Sequence, residues 1–355
     1  MIEKGKIKAA VLGCVSVDIM PRFVSRGATS FADVIKPGAI TRIEGHDICF
    51  GGPVANTGAA MKLFGVEPVL CAKIGQDDFG AMLKNMLQRE TGEAALSGLL
   101  EDPELDTAYS IIMAPEGLDR AILQNPGAND DYSFADVDFD ALQDCSLLHF
   151  GHPPSLKKIY RNEGEDLMMI FSRAKERGMV TSLDLCAVDP DSDAGRQDWK
   201  RILQRVLPYV DFFVPSIDEL RYMMRSGDDA SAAYLAALSR DFGASNVLIK
   251  CGTRGMYYSN ADAETTSKIE RDLGREAGSL ADWADRRGSA KAKTVKKEVS
   301  GLGAGDTSIA AYLSAMLRGY PFEEALELAL IEGALCVTQA SSTGGLVPFE
   351  DLATR

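Results

Sequence analysis

The chain reads as an α/β protein with a mostly parallel central sheet covered by helices on both faces, and a smaller β-sheet beside it. Three observations predict this. Short, nearly continuous apolar runs recur: IKAAVLGCVSVDI, PVLCAKIG, DCSLLHFG, MVTSLDLC, VDFFVPS and NVLIKCG. Strands buried on both faces read this way, whereas half-exposed strands alternate. Helical patterns lie between them, at 78–89, 164–177, 197–206, 216–225 and 230–242, which is the order of a parallel sheet with crossover helices. Two stretches break the alternation. Residues 19–50 are turn-rich and unhelical, and 107–125 hold two β runs around a PEGLD turn, a hairpin signal. Together they predict a small sheet standing off the main layers, suited to be a lid.

Residues 260–297 are Ala-rich and heavily charged with mixed sign. They are expected to form a solvated surface insertion with one short helix around 280–287, and the lysines of 293–297 a solvated edge. No internal repeat or linker divides the chain, so residues 1–355 are taken as one domain.

Composition narrows the function. A hydrophobic content of 46% and a charged content of 25% are those of a globular chain with a sizeable core. The net charge of −14 argues against nucleic acid or an anionic membrane as partner. The seven cysteines are scattered without a CxxC pair and read as reduced. No stretch approaches 18 apolar residues and no signal peptide is evident, so a cytoplasmic location is expected.

The chemistry concentrates in VSGLGAGDTSIAAYLSAMLRG. Ile309, Leu313, Met316 and Leu317 share a helical face, and Gly319 and Pro321 supply the stop. Residues 301–305 therefore form the turn entering a helix whose first amides lack internal acceptors. Glycine lets a ligand approach that backbone, and the aligned amides attract an anion. Asp306 at the helix mouth has a plain reading as an N-cap, worth about 1 kcal/mol. It also has a chemical one. Phosphoryl transfer needs amides that stabilise charge on the transferred group beside a carboxylate that accepts the attacking hydroxyl's proton. A Walker A pattern is absent, and the GxGxxG-like spacing of Gly301, Gly303 and Gly305 lacks the preceding apolar strand and following acid of a dinucleotide site.

A second glycine motif stands at GGPVANTGAAMKLFG, residues 51–65. Its small residues suit a helix packed tightly on a sheet, while Asn56 offers an amide that both donates and accepts to hydroxyls. GGPVAN…LFG followed by GAGDTS resembles the two signature regions of the PfkB carbohydrate kinases, which have the three-layer α/β/α ribokinase-like fold. VLGCVSVDI, KIGQDDFG, VPSIDEL and IKCGTRG resemble further family segments in the same order.

The resemblance implies an ATP-dependent kinase acting on a hydroxyl, a hydroxymethyl in the family's manner, of a sugar or sugar-like substrate. It implies Asp306 as general base and the amides of Gly303, Ala304 and Gly305 as the anion hole. Ser16, Asp18, Gly51, Gly52 and Asn56 would line the sugar site, and Arg120 in the lid hairpin could reach a substrate anion. Ser216, Glu219, Lys250, Gly252 and Gly255 would border ATP, with Glu219 organising Mg²⁺ through water. A homodimer through the lid sheet is also implied.

Two departures carry expectations of their own. The family's Asp-Thr pair is replaced by Ser300 and Gly301, which removes the expectation of K⁺ dependence. Ser216 stands where the family has Asn, so metal organisation is altered. Two other readings stay open: a nucleoside kinase of the same fold, and a member that binds ligand without turnover. His149 and His152 have HxxH spacing but no evident third ligand, so zinc is not expected. Asp77 and Asp78 are expected to cap the helix they precede.

Overall fold

The strands, in chain order, are β1 (Lys8–Gly13), β2 (Ser16–Phe23), β3 (Ile43–Gly51), β4 (Glu67–Gly75), β5 (Gly98–Asp102), β6 (Tyr109–Met113), β7 (Ala121–Asn125), β8 (Leu147–Gly151), β9 (Val180–Leu183), β10 (Phe212–Phe213), β11 (Asn246–Lys250), β12 (Met256–Ser259) and β13 (Arg287–Ala290). The computed structural model describes residues 7–24, 27–118, 120–339 and 341–352. Nine strands form one sheet in the order β13-β12-β11-β10-β9-β8-β1-β4-β5. From β5 to β11 every pairing is parallel, and β12 and β13 add antiparallel at one edge. Two apolar clusters, one on each face, bury the sheet. This is the ribokinase-like three-layer fold, and it explains why β1 and β8 are apolar without alternation.

The helices are α1 (Phe31–Val34), α2 (Pro53–Leu63), α3 (Asp78–Thr91), α4 (Lys157–Glu176), α5 (Trp199–Val206), α6 (Ile217–Met223), α7 (Ala232–Asp241), α8 (Ala263–Asp272), α9 (Ala304–Arg318), α10 (Phe322–Cys336) and α11 (Phe349–Leu352). α4 is regular only after a break at Arg161, Asn162, Glu163 and Gly164, which is why its helical pattern starts at 164. Asp77 caps α3 by accepting from the Gly80 amide at 2.7 Å.

The apolar run 7–19 divides between two sheets. β2 leaves β1 to enter a four-stranded sheet of order β3-β2-β6-β7. There β2 pairs antiparallel with β3 and parallel with β6, and β6 and β7 form the hairpin expected around PEGLD. The stretch 19–50 is not wholly unhelical, since α1 lies within it.

The charged stretch 260–297 is not a solvated excursion. α8 buries Thr266, Ile269 and Glu270, and β13 extends the central sheet. Trp283 is 2% exposed and meets Tyr312 at 5.2 Å, Phe322 at 5.3 Å and Phe212 at 6.3 Å. Nor is 280–287 a helix; it holds only a 3₁₀ turn at Ala281–Trp283 before β13. A few apolar anchors (Ile269, Leu280, Trp283) dock the segment although charges outnumber them, because charges that stay hydrated at the surface do not oppose docking while each buried anchor favours it.

Candidate active site

α9 begins at Ala304, with Gly303 as its N-cap in the left-handed region at φ 75°. A side chain on Gly303 would meet Ser342 Cβ at 2.4 Å. No side chain caps this end, so the leading amides of α9 stay available to a ligand. Asp306 lies inside the first turn, two residues further into the helix than 301–305 as an entering turn would place it, and it is not the N-cap. Its carboxylate is buried, at 5% exposure.

α2 approaches from the other side. Gly52 is its N-cap at φ 84°, again with no side-chain cap, and Pro53 opens the first turn. Asn56 on α2 donates from Nδ2 to Asp306 Oδ2 at 2.8 Å and accepts at Oδ1 from Ser342 Oγ at 2.6 Å. Because both ends of the amide are used, the orientation of Asn56 is determined, and with it that of Asp306. Thr307 Oγ1 donates to the Ser342 carbonyl at 3.2 Å, tying the loop after α10 to the same turn.

Ser16 and Asp18 lie on β2, where Ser16 Oγ donates to Asp18 Oδ1 at 3.0 Å. Ser16 pairs with Gly51 across the β2–β3 ladder, and a side chain on Gly51 would come 2.2 Å from Asp18 Oδ2. That contact is the physical reason for glycine at 51. Burial raises the Asp18 carboxyl against the opposing hydrogen bonds of Ser16 and Ser110. Arg120 is exposed just ahead of β7, on the small sheet.

Beside α9 opens a cavity of ≈ 320 Å³. Lys250, Gly252 and Gly255 line one side, Ala304, Gly305 and Ser308 another, and Leu330, Ala334 and Val337 of α10 and the residue after it supply an apolar wall. Ala292, Lys293 and Val295 close it, so the tail of the charged stretch shapes this cavity, while Lys293, Lys296 and Lys297 remain exposed as expected and Lys293 pairs with Glu327 at the surface. Lys250 Nζ lies 3.4 Å from the position a Gly305 Cβ would take and 2.7 Å from Asp184 Oδ1. Burial opposes charge on Lys250, but Asp184 and Glu219 outweigh it and raise the ammonium above its usual range. Ser216 and Glu219 form a capping box on α6: Glu219 Oε2 accepts from the Ser216 amide at 2.7 Å.

Sequence reasoning missed Asp184 and Ser342 of this centre, and it named His152 only as half of an HxxH pair from which no metal was expected. His152, following β8 in the left-handed region, points Nε2 at Asp306 Oδ1 (3.5 Å) and Asp184 Oδ2 (3.9 Å). Burial works against its charge, but Asp306, Cys14 and Asp184 prevail and push it up to about 10. Burial, opposed by Lys250, pushes Asp184 up to about 6. His149 belongs elsewhere: it bonds Ser182 Oγ at 3.1 Å, and burial drives it down to about 3. The signal for Asp184 was a single acid ending an apolar parallel strand, where open α/β sheets place ligand-binding residues. Ser342 had no local signal.

The strand ends of the parallel sheet thus meet two uncapped helix N-termini, one carrying a carboxylate, an arrangement open to an anion beside a group that can take a proton. The chain matches the pfkB family carbohydrate kinases over residues 14–348 and belongs to that family. It is an ATP-dependent carbohydrate kinase. An uncharacterised sugar kinase from Archaeoglobus fulgidus is 25% identical over 285 residues, covering 79% of this chain and 96% of that one. Among solved structures, the Arabidopsis thaliana ribokinase complexed with ribose and ATP superposes with a TM-score of 0.73 at 18% identity, covering 98% of each chain. A candidate Ribokinase II from E. coli in complex with ATP and Mg²⁺ gives 0.73 at 20% identity, again over 98% of each chain. Among the described residues no helix is long and apolar enough to cross a membrane.

Proposed function

We propose that this kinase transfers the γ-phosphoryl group of ATP to a hydroxymethyl group of a sugar or sugar-like polyol, with Asp306 as general base. The observation that carries this reading is the Asn56–Asp306 contact of 2.8 Å. It joins α2 to α9 and engages Oδ2, so that the acceptor hydroxyl would meet Asp306 at Oδ1, with His152 Nε2 3.5 Å from that oxygen.

The ≈ 320 Å³ cavity suits a nucleotide: apolar walls for a base, Lys250 and open amides for phosphates. ATP with Mg²⁺ supplies the phosphoryl group and neutralises its charge. The chain's own residues do the rest. The amides of Gly303, Ala304 and Gly305 face the transferred group's oxygens, where fixed donors in a dry site lower the barrier. Lys250 adds a point charge beside them. Glu219 would hold the metal through water, its carboxylate being close enough to raise Lys250. Ser16, Asp18 and Asn56 hold the polyol so that one hydroxyl meets Asp306 Oδ1, and Asp306 accepts its proton as the new O–P bond forms. The small sheet covers the acceptor and excludes water. Its exposed Ile43, Ile48, Ile122 and Leu123 support a second copy docking there, which light scattering after gel filtration tests.

ADP release with Mg·ATP and a panel of sugars, polyols and nucleosides tests the reading. At least one sugar should turn over, with Asp306→Asn lowering kcat by at least roughly 100-fold while ligand-induced thermal stabilisation persists. Turnover confined to nucleosides makes the acceptor a nucleoside instead. Activity unchanged in Asp306→Asn removes the base assignment.

A further inference from the structure

Three side chains from separate elements converge beside the first turn of α9: His152 after β8, Asp184 after β9 and Asp306 within that turn. One ligand atom from each of the three lies within 4.8 Å of the other two, and His152 Nε2 is the ring nitrogen nearest Asp306 Oδ1 and Asp184 Oδ2. The imidazole stands 3.5 Å from one carboxylate and 3.9 Å from the other. Charge-assisted hydrogen bonds close to roughly 2.7–2.9 Å, so the ring bonds neither oxygen well. A tetrahedral ion with bonds of about 2.0–2.1 Å spaces its ligand atoms roughly 3.3 Å apart, which the two imidazole–carboxylate gaps approach.

The outward atom of each group has its own partner. Asp306 Oδ2 accepts from Asn56 Nδ2 at 2.8 Å, Asp184 Oδ1 accepts from Lys250 Nζ at 2.7 Å, and His152 Nδ1 touches Cys14 Sγ at 4.0 Å. Such outer contacts fix which atom of a ligand faces a metal. The Asp184 and Asp306 side chains are 2% and 7% exposed, while His152, at 23%, keeps a way in from solvent.

We propose that His152, Asp184 and Asp306 form a site for a zinc-class divalent cation, separate from the Mg²⁺ that accompanies ATP, and that filling it arrests phosphoryl transfer. One imidazole with two carboxylates suits Zn²⁺ or Co²⁺ better than Mg²⁺ or Ca²⁺, which favour all-oxygen sets. Three protein ligands leave a fourth position for water. The ring ligates as neutral imidazole, so its second proton passes to the buffer. Arrest rests on the reading of Asp306 as base: a carboxylate oxygen bound to metal cannot take a hydroxyl proton.

The test uses full-length protein stripped with chelator. Co²⁺ should bind at one equivalent with visible d–d bands and no thiolate charge-transfer band, and Zn²⁺ should compete. Calorimetry should show Zn²⁺ affinity falling at least about 10-fold in His152→Gln and in Asp184→Asn, with Cys14→Ser close to wild type. Zn²⁺ should then inhibit ADP release competitively against the acceptor. Absence of stoichiometric binding by the wild type overturns the site. So does binding that survives His152→Gln, or a charge-transfer band lost in Cys14→Ser. Site binding without inhibition overturns the arrest, and with it the role of Asp306, but leaves the cation site standing.

Discussion

Two glycine-led helices face each other across this centre, α2 behind Gly52 and α9 behind Gly303, and they share a device while doing different work. Both start from a glycine N-cap at positive φ, 84° and 75°, and neither has a side-chain cap. Beyond the cap they diverge. α9 places a carboxylate in its first turn beside a cavity of ≈ 320 Å³, whereas α2 places a neutral amide in its second. The difference teaches that an open helix start fixes where an anion is welcome but says nothing of chemistry. The chemistry comes from the side chain a few residues in, and here the two helices are coupled because Asn56 orients Asp306.

Breaking the coupling should cost most. Asn56→Asp puts a second carboxylate 2.8 Å from Asp306 in place of a donor, and kcat should fall roughly 1,000-fold, with Asn56→Ala nearer 10–100-fold. Steady-state kinetics on both variants check the ranking; equal losses would show that the amide only fills space. On the α9 side, Gly303→Ala forces a Cβ to 2.4 Å from Ser342 Cβ at positive φ. It should lose about 1–3 kcal/mol of stability and raise the KM for ATP more than that for the acceptor. On the α2 side the bias should invert: Gly51→Ala drives a methyl into the Asp18 carboxylate at 2.2 Å, raising the acceptor KM severalfold and leaving the ATP KM within about two-fold.

The smallest effect is a control outside both helices. Asp77 accepts from Gly80 and from the Thr107 amide and hydroxyl; against a burial contribution that raises it, these bonds hold its carboxyl below the usual range. A depressed carboxyl stabilises the fold above its unfolded value near 3.8 and loses that contribution as pH falls through the lower folded value. Asp77→Asn should therefore destabilise by about 1 kcal/mol at neutral pH, with the gap to wild type closing in acid. Urea titrations across pH measure it.

Much of this molecule was legible in one dimension. Apolar runs without alternation marked the parallel strands, GGPVAN and GAGD marked both helix starts, and PEGLD marked the hairpin, because each signal is local and repeats over adjacent residues. Even so, composition misjudged 260–297. Charge is counted along the chain, but docking depends on which few residues face inward, and Trp283 alone meets three aromatic partners.

By itself the sequence determined the layer architecture, the two anion-ready helix starts and the identity of Asp18, Asn56 and Asp306. Those properties follow from periodicity, glycine and hydrogen-bonding type within a short window. Tertiary structure alone decided that Asn56, Ser342 and Asp306 would form one chain of hydrogen bonds across 250 and 286 positions of sequence separation. It alone also brought His152 and Asp184 to Asp306. Parallel strands gather their carboxyl ends along one edge of the sheet however far apart they lie in sequence, so the composition of that edge is written only in three dimensions.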